Sequence, residues 1–309
     1  MDVVSDAISA VRVGRPFSQR VRIGGSWCTR LAPYEGAGFH VVLEGRCWLL
    51  VDGGAPVELG AGDAVLLPHG TGHVLADAPV GAEELARAVP FERWADGTVE
   101  RPLLTPAHAG GPVVEMLCGK YRLDRSHVHP LLAELPPLVH LPGRADGGDE
   151  LGAAIGLLGR EAGERLPGSG VALPSLLDLL LVYMVRAWAT GGGSGEGGAW
   201  PAALGDPVTA AALRALHDDP AAPWTNELLA AEAGVSRPTL ARRFTALVGR
   251  PPMEYLTWWR LTRAAALLRD TRDPLVSIAR RVGYSSPYAL SHAFRREFGT
   301  PPGRYRAGR

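Results

Sequence analysis

The sequence predicts a two-domain α+β protein, in which a β-barrel or jelly roll and a helical pair precede an all-α domain. Short apolar segments broken by glycine and proline run from about residue 15 to 124, as in small barrels. Two segments with apolar residues at helical spacing follow, at 150–164 and 171–190. Residues 224–306 then contain the same helix-turn-helix sequence pattern in two copies, which predicts two such motifs joined by a long helix.

These changes of pattern set the expected domain boundaries. They are 1–145 for the barrel domain, 146–190 for the helical pair, 191–203 for a Gly-rich linker and 204–309 for the C-terminal domain. Residues 3–12 predict a short amphipathic helix, and 78–112 predict a long loop. Because a Gly/Ser linker is flexible, a signal has to pass through contact between domains or through changed spacing in a dimer.

Each copy of the repeated pattern specifies its own turn. Gly234 and Gly283 can adopt the positive φ that ends the first helix, and Ser236 and Ser285 are expected to cap the second. The second helices should each bury one apolar stripe, made of Leu240, Phe244 and Leu247 in one copy and Leu290, Phe294 and Phe298 in the other. The opposite faces are then free to enter a major groove.

This duplicated pattern resembles the DNA-binding domain of the AraC/XylS family of bacterial transcription regulators. The resemblance covers about the last hundred residues and is most specific in IARRVGYSSPYALSHAFRREFGTPPGRYR, residues 278–306. It implies double-stranded DNA as a partner, and RNA polymerase as well if the protein activates transcription. The implied DNA-contacting residues are Arg237, Arg242, Arg243, Tyr288, Ser291, His292, Arg295 and Arg296. Arg242 could bind a guanine edge, and the flanking arginines are expected at phosphates.

Charge is unevenly distributed along a chain whose formal net charge is zero. From Leu204 onward there are 16 Arg and 9 Asp or Glu, a net charge of +7, and the preceding residues carry −7. A polyanionic partner therefore belongs to the C-terminal part. No secretory signal and no apolar run as long as a membrane span is visible, so we expect a cytoplasmic protein without a membrane partner.

Residues 62–77, GDAVLLPHGTGHVLAD, resemble the second motif of the cupin family, with Asp77 where the motif has Asn. FHVVLEGRCWLLVDG resembles the strand pair of the first motif, and together the resemblance covers about residues 15–125. The His-x-His pair of metal-binding cupins is missing, because the corresponding stretch is APYEGAG. His40 and His73 are left as weak metal candidates, with His69 or Cys118 as a third ligand. The protein is therefore expected to need no cofactor and not to be an enzyme, and a metal-dependent cupin enzyme remains the alternative.

Three hypotheses compete for what the barrel senses. The first is a small organic effector, in a pocket lined by Phe39, His40, Trp48, His73 and Tyr121. The second is oxidation of Cys28, Cys47 or Cys118, which needs a thiol of lowered pKa. The third is that the barrel is still a metal-dependent cupin enzyme. His127, His129 and His140 are expected in an exposed turn.

The sequence thus predicts a DNA-binding transcription regulator whose barrel receives the signal. Because the segment 171–190 is apolar nearly all round, it must be buried against something, either its own barrel or a second copy. The resemblance favours a homodimer formed through the helical pair. The identity of the effector, the direction of regulation and the DNA site stay open.

Overall fold

The computed structural model describes residues 2–79, 81, 85–86, 88–91, 113–123, 129–143, 150–164, 166–190 and 198–307. They form two compact units. The helical unit comprises Met1–Val11, His127–Glu134 and Gly197–Arg309, and the barrel unit comprises Arg12–Ser126 and Leu135–Glu196. Residues 2–11 and 129–134 therefore pack with the C-terminal helices, whereas the sequence predicts them in the N-terminal domain.

Helices are numbered along the whole chain. They are α1 (Val3–Val11), α2 (Pro130–Ala133), α3 (Glu150–Glu164), α4 (Ser169–Ala189), α5 (Ala199–Gly205), α6 (Pro207–Asp218), α7 (Asn226–Glu232), α8 (Arg237–Val248), α9 (Pro252–Asp270), α10 (Leu275–Arg281), α11 (Pro287–Phe298) and α12 (Pro302–Ala307). Helix α1 confirms the helix predicted over 3–12, and α9 lies in the chain between the two repeated patterns.

The barrel unit is built from two five-stranded sheets. Its strands are β1 (Phe17–Gly24), β2 (Cys28–Leu31), β3 (Ala37–Glu44), β4 (Arg46–Val51), β5 (Val57–Gly60), β6 (Ala64–Leu67), β7 (His73–Ala76), β8 (Val89–Pro90), β9 (Val113–Tyr121) and β10 (Val139–Leu141). One sheet has the order β1-β9-β3-β6-β10 and the other β5-β4-β7-β2-β8. The β-rich N-terminal part that the sequence predicts is confirmed.

Alternate residues of these strands fill the space between the two sheets. Val42 of β3 and Met116 of β9 pack there with Leu49 of β4 and Leu75 of β7. Asp77 follows β7 and accepts a hydrogen bond at 2.7 Å from the backbone N–H of Trp27, which fixes the chain entering β2. The Asn-to-Asp departure from the cupin motif is therefore compatible with a structural role.

Part of the segment predicted as a long loop is ordered against the barrel. Strand β8 pairs with β2 in parallel, with Thr29 opposite Val89, and the Thr29 hydroxyl donates to the Val89 carbonyl at 3.0 Å. The sequence missed this strand because only two residues form it. Residues 80, 82–84, 87 and 92–112 of the predicted loop lie outside the described residues.

The helical pair of the barrel unit begins and ends close to where the sequence predicts. Helix α4 buries one face, with Leu177, Leu180, Leu181, Met184, Val185 and Trp188. By length and composition α4 is apolar enough to cross a membrane, a test that core helices also pass. The sequence prediction of no apolar run as long as a membrane span therefore does not hold for α4.

The turns between the repeated helices follow the predicted chemistry with one exception. Gly234 has φ 65° and Gly283 has φ 81°, as predicted. Ser236 caps α8 by accepting from the Thr239 N–H. Helix α11 is capped by Ser286, which accepts from the Ala289 N–H, and the prediction of Ser285 is wrong. The residue inserted in the second copy moves the cap by one position.

The predicted linker is shorter than expected at its C-terminal end. Helix α5 begins at Ala199, and Trp200 is buried. The Trp200 backbone N–H donates to the carboxylate of Glu134 at 3.1 and 3.2 Å, which ties α5 to the segment that contains α2. Residues 191–197 lie outside the described residues.

Four buried polar side chains form one hydrogen-bonded chain inside the helical unit, which we call the buried relay: Asp6, His217, Tyr255 and His129. His217 Nδ1 lies 2.8 Å from Asp6 Oδ2, and His217 Nε2 lies 2.8 Å from the Tyr255 hydroxyl. His129 Nε2 lies 3.0 Å from the same hydroxyl. Their exposed fractions are 3% or less, so every group depends on its neighbour for a hydrogen bond.

The two ends of the relay fix its proton positions. His129 Nδ1 accepts from the Leu131 N–H, so its Nε2 carries the proton and donates to the Tyr255 oxygen. The Tyr255 hydroxyl then donates to His217 Nε2, and His217 Nδ1–H donates to the Asp6 carboxylate. Both histidines are neutral in this arrangement. Burial holds the pKa of His129 well below its usual value, and burial also lowers the pKa of His217.

His129 does not lie in an exposed turn, so that prediction is wrong for it. Its imidazole packs edge-on against Trp200 and Trp258, with ring centroids 5.2 and 5.3 Å apart. His140 lies on β10 and contacts Asp63 at 3.0 Å. His127 lies outside the described residues.

Helix α9 also holds α1 at a second point. Arg269 is largely buried, and its guanidinium donates to the carbonyl of Ala10 at 3.0 Å. The N-terminal helix is therefore fixed at Asp6 by His217 of α6 and at Ala10 by Arg269 of α9.

Replacing Tyr255 by Phe should destabilise the helical unit by about 2 to 6 kcal/mol. The change leaves His217 Nε2 and the His129 Nε2–H buried without a partner, at about 1 to 3 kcal/mol for each unsatisfied group. Urea unfolding followed by tryptophan fluorescence would measure the loss. Tyr288→Phe, at a tyrosine that is 82% exposed, is the control, and equal stability of the two variants would contradict the relay.

The stability of the protein should fall as the pH drops below about 6.5. The pKa of His40, His73, His129 and His217 is lowered by burial in the folded state, while the unfolded chain takes up protons near 6.5. Stability is therefore full above that pH and is lost towards the folded pKa values, by up to about 1.4 kcal/mol per pH unit for each histidine. Unfolding midpoints between pH 7.5 and 5.5 would test this, and a midpoint independent of pH would overturn it.

Candidate DNA-binding face and effector cavity

Helices α8 and α11 each bury one stripe and expose the opposite face. Leu240 and Phe244 are fully buried in α8, and Leu290 and Phe294 are fully buried in α11. The Phe294 and Phe298 rings stack with centroids 4.2 Å apart. Of the residues that the sequence assigns to DNA contact, Ser291 is half-buried, and the exposed ones are Arg237, Arg242, Arg243, Tyr288, His292, Arg295 and Arg296.

The exposed arginines differ in whether the protein already neutralises them. Arg237 pairs with Glu227 at 2.6 Å, and Arg243 pairs with Asp206 at 3.1 Å. Arg242 and, on α11, Arg295 and Arg296 have no acidic partner among the described residues. A guanidinium without an internal partner is free to donate its fork of N–H groups to a nucleic acid.

Other arginines of the helical unit are used for packing. Arg260 donates to the carbonyls of Pro220 and Ala222 at 2.6 and 2.8 Å. Arg281 pairs with Asp273 at 2.7 Å. The positive charge that remains available is therefore concentrated on fewer residues than the sequence suggests.

A cavity of about 200 Å³ opens at one end of the barrel unit. Its lining residues are Phe17, Gln19, Leu31, Ala32, Pro33, Tyr34, His40, His73, Phe91, Cys118, Gly119 and Lys120. The strand register explains why these residues meet.

Two rows of side chains cross the sheet at that end. Lys120 of β9 lies opposite Phe17 of β1 and Gly38 of β3. Cys118 lies opposite Gln19 and His40 in the next inward row. Leu31 and His73, paired across β2 and β7, supply the wall from the other sheet.

His40 and His73 meet inside this cavity, as the alternation of β3 predicts for His40. Their Nε2 atoms are 2.8 Å apart, and both side chains are almost fully buried. His73 Nδ1 lies 3.0 Å from the Thr71 carbonyl and donates to it, so its Nε2 accepts from His40. His40 Nδ1 is then a buried acceptor without a partner. Burial lowers the pKa of both histidines, which keeps them neutral.

The cavity does not fit the metal that cupin folds often hold. The two Nε2 atoms are hydrogen-bonded to each other, and His69 donates instead to the Leu135 carbonyl at 2.6 Å. Within the described part of the chain, no group of three or more His, Cys, Asp or Glu is arranged to hold a metal ion. We therefore assign no metal-dependent step to it.

Three of the five residues that the sequence proposed for the effector pocket lie elsewhere. Phe39 and Tyr121 pack on each other with ring centroids 5.3 Å apart, and the Tyr121 hydroxyl donates to the Leu177 carbonyl of α4 at 2.6 Å. Trp48 packs on Val74 and Ala76 in a separate small cluster. The alternation that turns His40 inward turns these aromatic side chains to the outer faces of the two sheets.

The cysteines are not activated in the way a sensor thiol requires. Burial raises the pKa of Cys47 to about 12, and burial also raises the pKa of Cys118. Cys47 Sγ lies 3.6 Å from the sulfur of Met116, in an apolar setting. Cys28 is half-buried. The hypothesis of thiol sensing therefore has no support at Cys47 or Cys118.

The sequence missed the polar residues at the mouth of the cavity. Lys120 lies with its Nζ 5.7 Å from the centre of the Tyr34 ring. Gly38 makes room for Tyr34, because a Cβ at that position would overlap the phenol oxygen. Period-2 alternation counted along β9 from Cys118 would have pointed to Lys120, but the alternation was applied only to His40.

Two family models match the chain. A cupin model matches residues 2–190, and a helix-turn-helix domain model matches residues 229–308. Relatives extend over both parts. An AraC-like transcription regulator of Streptomyces lividans is 37% identical over 308 residues, which are 99% of this chain and 98% of the relative. Another AraC-like regulator, from Streptomyces antibioticus, is 35% identical over the same shares. The HTH-type transcriptional regulator MtrA of Neisseria gonorrhoeae is 27% identical, again over 99% of this chain and 98% of the relative.

The relatives match this chain over both of its units, the two-sheet barrel with its cavity and the helical unit with its exposed basic helix faces. The chain belongs to the AraC-like transcription regulators, with a cupin domain followed by a helix-turn-helix DNA-binding domain.

Proposed function

We propose that the chain binds specific DNA sites through two helix-turn-helix motifs, α7–α8 and α10–α11, joined by α9. The observation that carries this proposal is the repeated exposed face: Arg242 on α8 and Arg295 on α11 have no acidic partner among the described residues, whereas their helices are anchored by fully buried phenylalanines. Such faces suit insertion into the major groove.

The length of α9 supports binding on one side of the duplex. Its 19 residues span about 28 Å, and successive major grooves on one DNA face are about 34 Å apart. A modest bend of the DNA would close the difference.

Base reading and phosphate binding should fall to different residues. Arg242 precedes the anchor Phe244 by two positions and is unpaired, so it suits a bidentate contact with guanine. His292 precedes Phe294 in the same way. Arg237 is already paired with Glu227 and Arg243 with Asp206, and Arg296 lies at the flank, so these three suit phosphates.

Replacing Arg242 by Ala should weaken binding to the specific site by about 1 to 3 kcal/mol and relax specificity at one base pair. Arg243→Ala is the matched control, since it removes the same charge next to Arg242 and should weaken binding equally on all sequences. Titration of the full-length protein against a site library would compare them. If the two variants lose affinity without any change in sequence preference, Arg242 binds phosphate and does not read a base.

We also propose that α3 and α4 pair two copies of the chain. Four exposed large apolar side chains lie in this part of the chain: Leu157 on α3, Leu166 between the helices, and Val171 and Leu179 on α4, with Val171 73% exposed. Apolar side chains left exposed in one part of the chain support an interface with a second copy. Dimerisation would also place two DNA-binding domains on one site.

Val171→Asp should convert the dimer to a monomer, because a carboxylate in an apolar interface loses hydration without gaining a partner. Sedimentation velocity at micromolar concentration would measure the change. Val276→Asp is the control, as Val276 is 52% exposed on α10, outside the pair. A protein that sediments as a monomer before any substitution would contradict the dimer.

The remaining assignments follow from this function. We propose residues 1–145 as the signal-receiving part, 146–190 as the dimerisation pair and 204–309 as the DNA-binding part, with 2–11 and 129–134 added to the last by packing. The barrel cavity is the effector site, the protein works in the cytoplasm, and RNA polymerase is a partner if transcription is activated. No catalytic activity is proposed.

A further inference from the structure

We propose that the barrel cavity binds a small aromatic monocarboxylate, with Lys120 holding the carboxylate and the aromatic rings of Phe17, Tyr34 and Phe91 holding the ring. This inference rests on the proposed function of the cavity as the effector site, and it adds the chemical class of the effector.

The charge of the cavity points to an anion. Lys120 is the only lysine in the sequence, and among the described residues that line the cavity it is the only charged one when the histidines are neutral. It is exposed at the mouth and has no acidic partner among the described residues. The ammonium lies over the Tyr34 ring, with Nζ 5.7 Å from its centre, so a carboxylate can reach it without displacing an ion pair to any described residue.

The cations among the described lining residues match a ligand of one negative charge. Those residues provide one ammonium and no guanidinium. A phosphate monoester near pH 7 carries between one and two negative charges and three acceptor oxygens, which one exposed lysine leaves partly unbalanced. Proteins usually bind the phosphate oxygens with the paired N–H donors of arginine guanidinium groups. A monocarboxylate is balanced by Lys120 alone.

The walls and the volume define the body of the ligand. Phe17, Tyr34 and Phe91 provide rings, and Leu31 and Pro33 provide further apolar surface. A volume of about 200 Å³ is smaller than the roughly 300 Å³ at the lower end of pockets for drug-sized ligands. It suits a single ring, and aromatic walls favour offset or edge-on contact with it.

Benzoate is the probe that matches this description, and benzamide is its neutral counterpart of nearly the same shape. Both would be titrated calorimetrically into the full-length protein, at low and high salt. The variants are Lys120→Met, which keeps the apolar stem, Lys120→Arg, which keeps the charge, and Arg46→Met. Arg46 is the control, because it is an exposed cation on β4 that pairs with Glu58 and does not line the cavity.

We expect benzoate to bind more tightly than benzamide and Lys120→Met to weaken benzoate about fivefold or more. Benzamide affinity should stay within about twofold of wild type in that variant, which a general loss of folding would not allow. Lys120→Arg should restore most of the benzoate affinity, and Arg46→Met should change neither ligand. Added salt should weaken benzoate binding only.

Equal affinity for benzoate and benzamide, or an unchanged affinity in Lys120→Met, would overturn the assignment of an anion to the cavity. If benzoate shows no saturable binding up to about 10 mM, its binding free energy is weaker than about −3 kcal/mol. That result would overturn the proposal that the ligand is an aromatic carboxylate. DNA binding by the same preparation separates this result from the proposed function. If benzoate fails while site-specific DNA binding persists, the ligand class is wrong and the regulator remains.

Discussion

The packing of the helical unit depends on the buried relay. Its four side chains come from α1, α6, α9 and the residue that precedes α2, and each supplies a hydrogen bond that no water can replace at that depth. Only one arrangement of protons satisfies all of them, because the Leu131 N–H fixes one end and the Asp6 carboxylate fixes the other. Helix α9, which lies between α8 and α11 in the chain, is therefore held by His217 and by His129, which is more than a hundred positions away in the sequence.

The same constraint gives the proposed effector cavity a short covalent route to the helical unit. Lys120, at the mouth of the cavity, precedes His129 of the relay by nine residues, and Phe17 follows Asp6 by eleven. His129 and Asp6 are both fixed in the helical unit by hydrogen bonds. A ligand that shifts the ends of β1 or β9 would act on groups that tolerate little displacement, since losing any hydrogen bond of the relay leaves a buried polar atom unsatisfied.

How much of this could be predicted from sequence depended on whether the relevant contact is local. The turn glycines Gly234 and Gly283 and the anchor phenylalanines Phe244 and Phe294 follow from neighbours a few residues away, and they were predicted correctly. Alternation along β3 was enough to turn His40 inward. Phe39 and Tyr121 were chosen as aromatic residues rather than by their parity on the strand, and they lie on the outer face. His129 could not be placed, because its partners, Tyr255 and Trp258, are brought to it only by the tertiary fold.

Helices α8 and α11, which we propose to face DNA, differ in how many of their charged residues are already paired. On α8, Arg237 and Arg243 are neutralised by Glu227 and Asp206, and Pro238 occupies an exposed position without a hydrogen-bond donor. Only Arg242 is left there with a free guanidinium. Helix α11 exposes Tyr288, His292, Arg295 and Arg296 together, and none of them pairs with an acidic residue among those described. Because base readout needs donors that are not already engaged, α11 should specify more base pairs than α8, and α8 should contribute relatively more to position than to sequence preference.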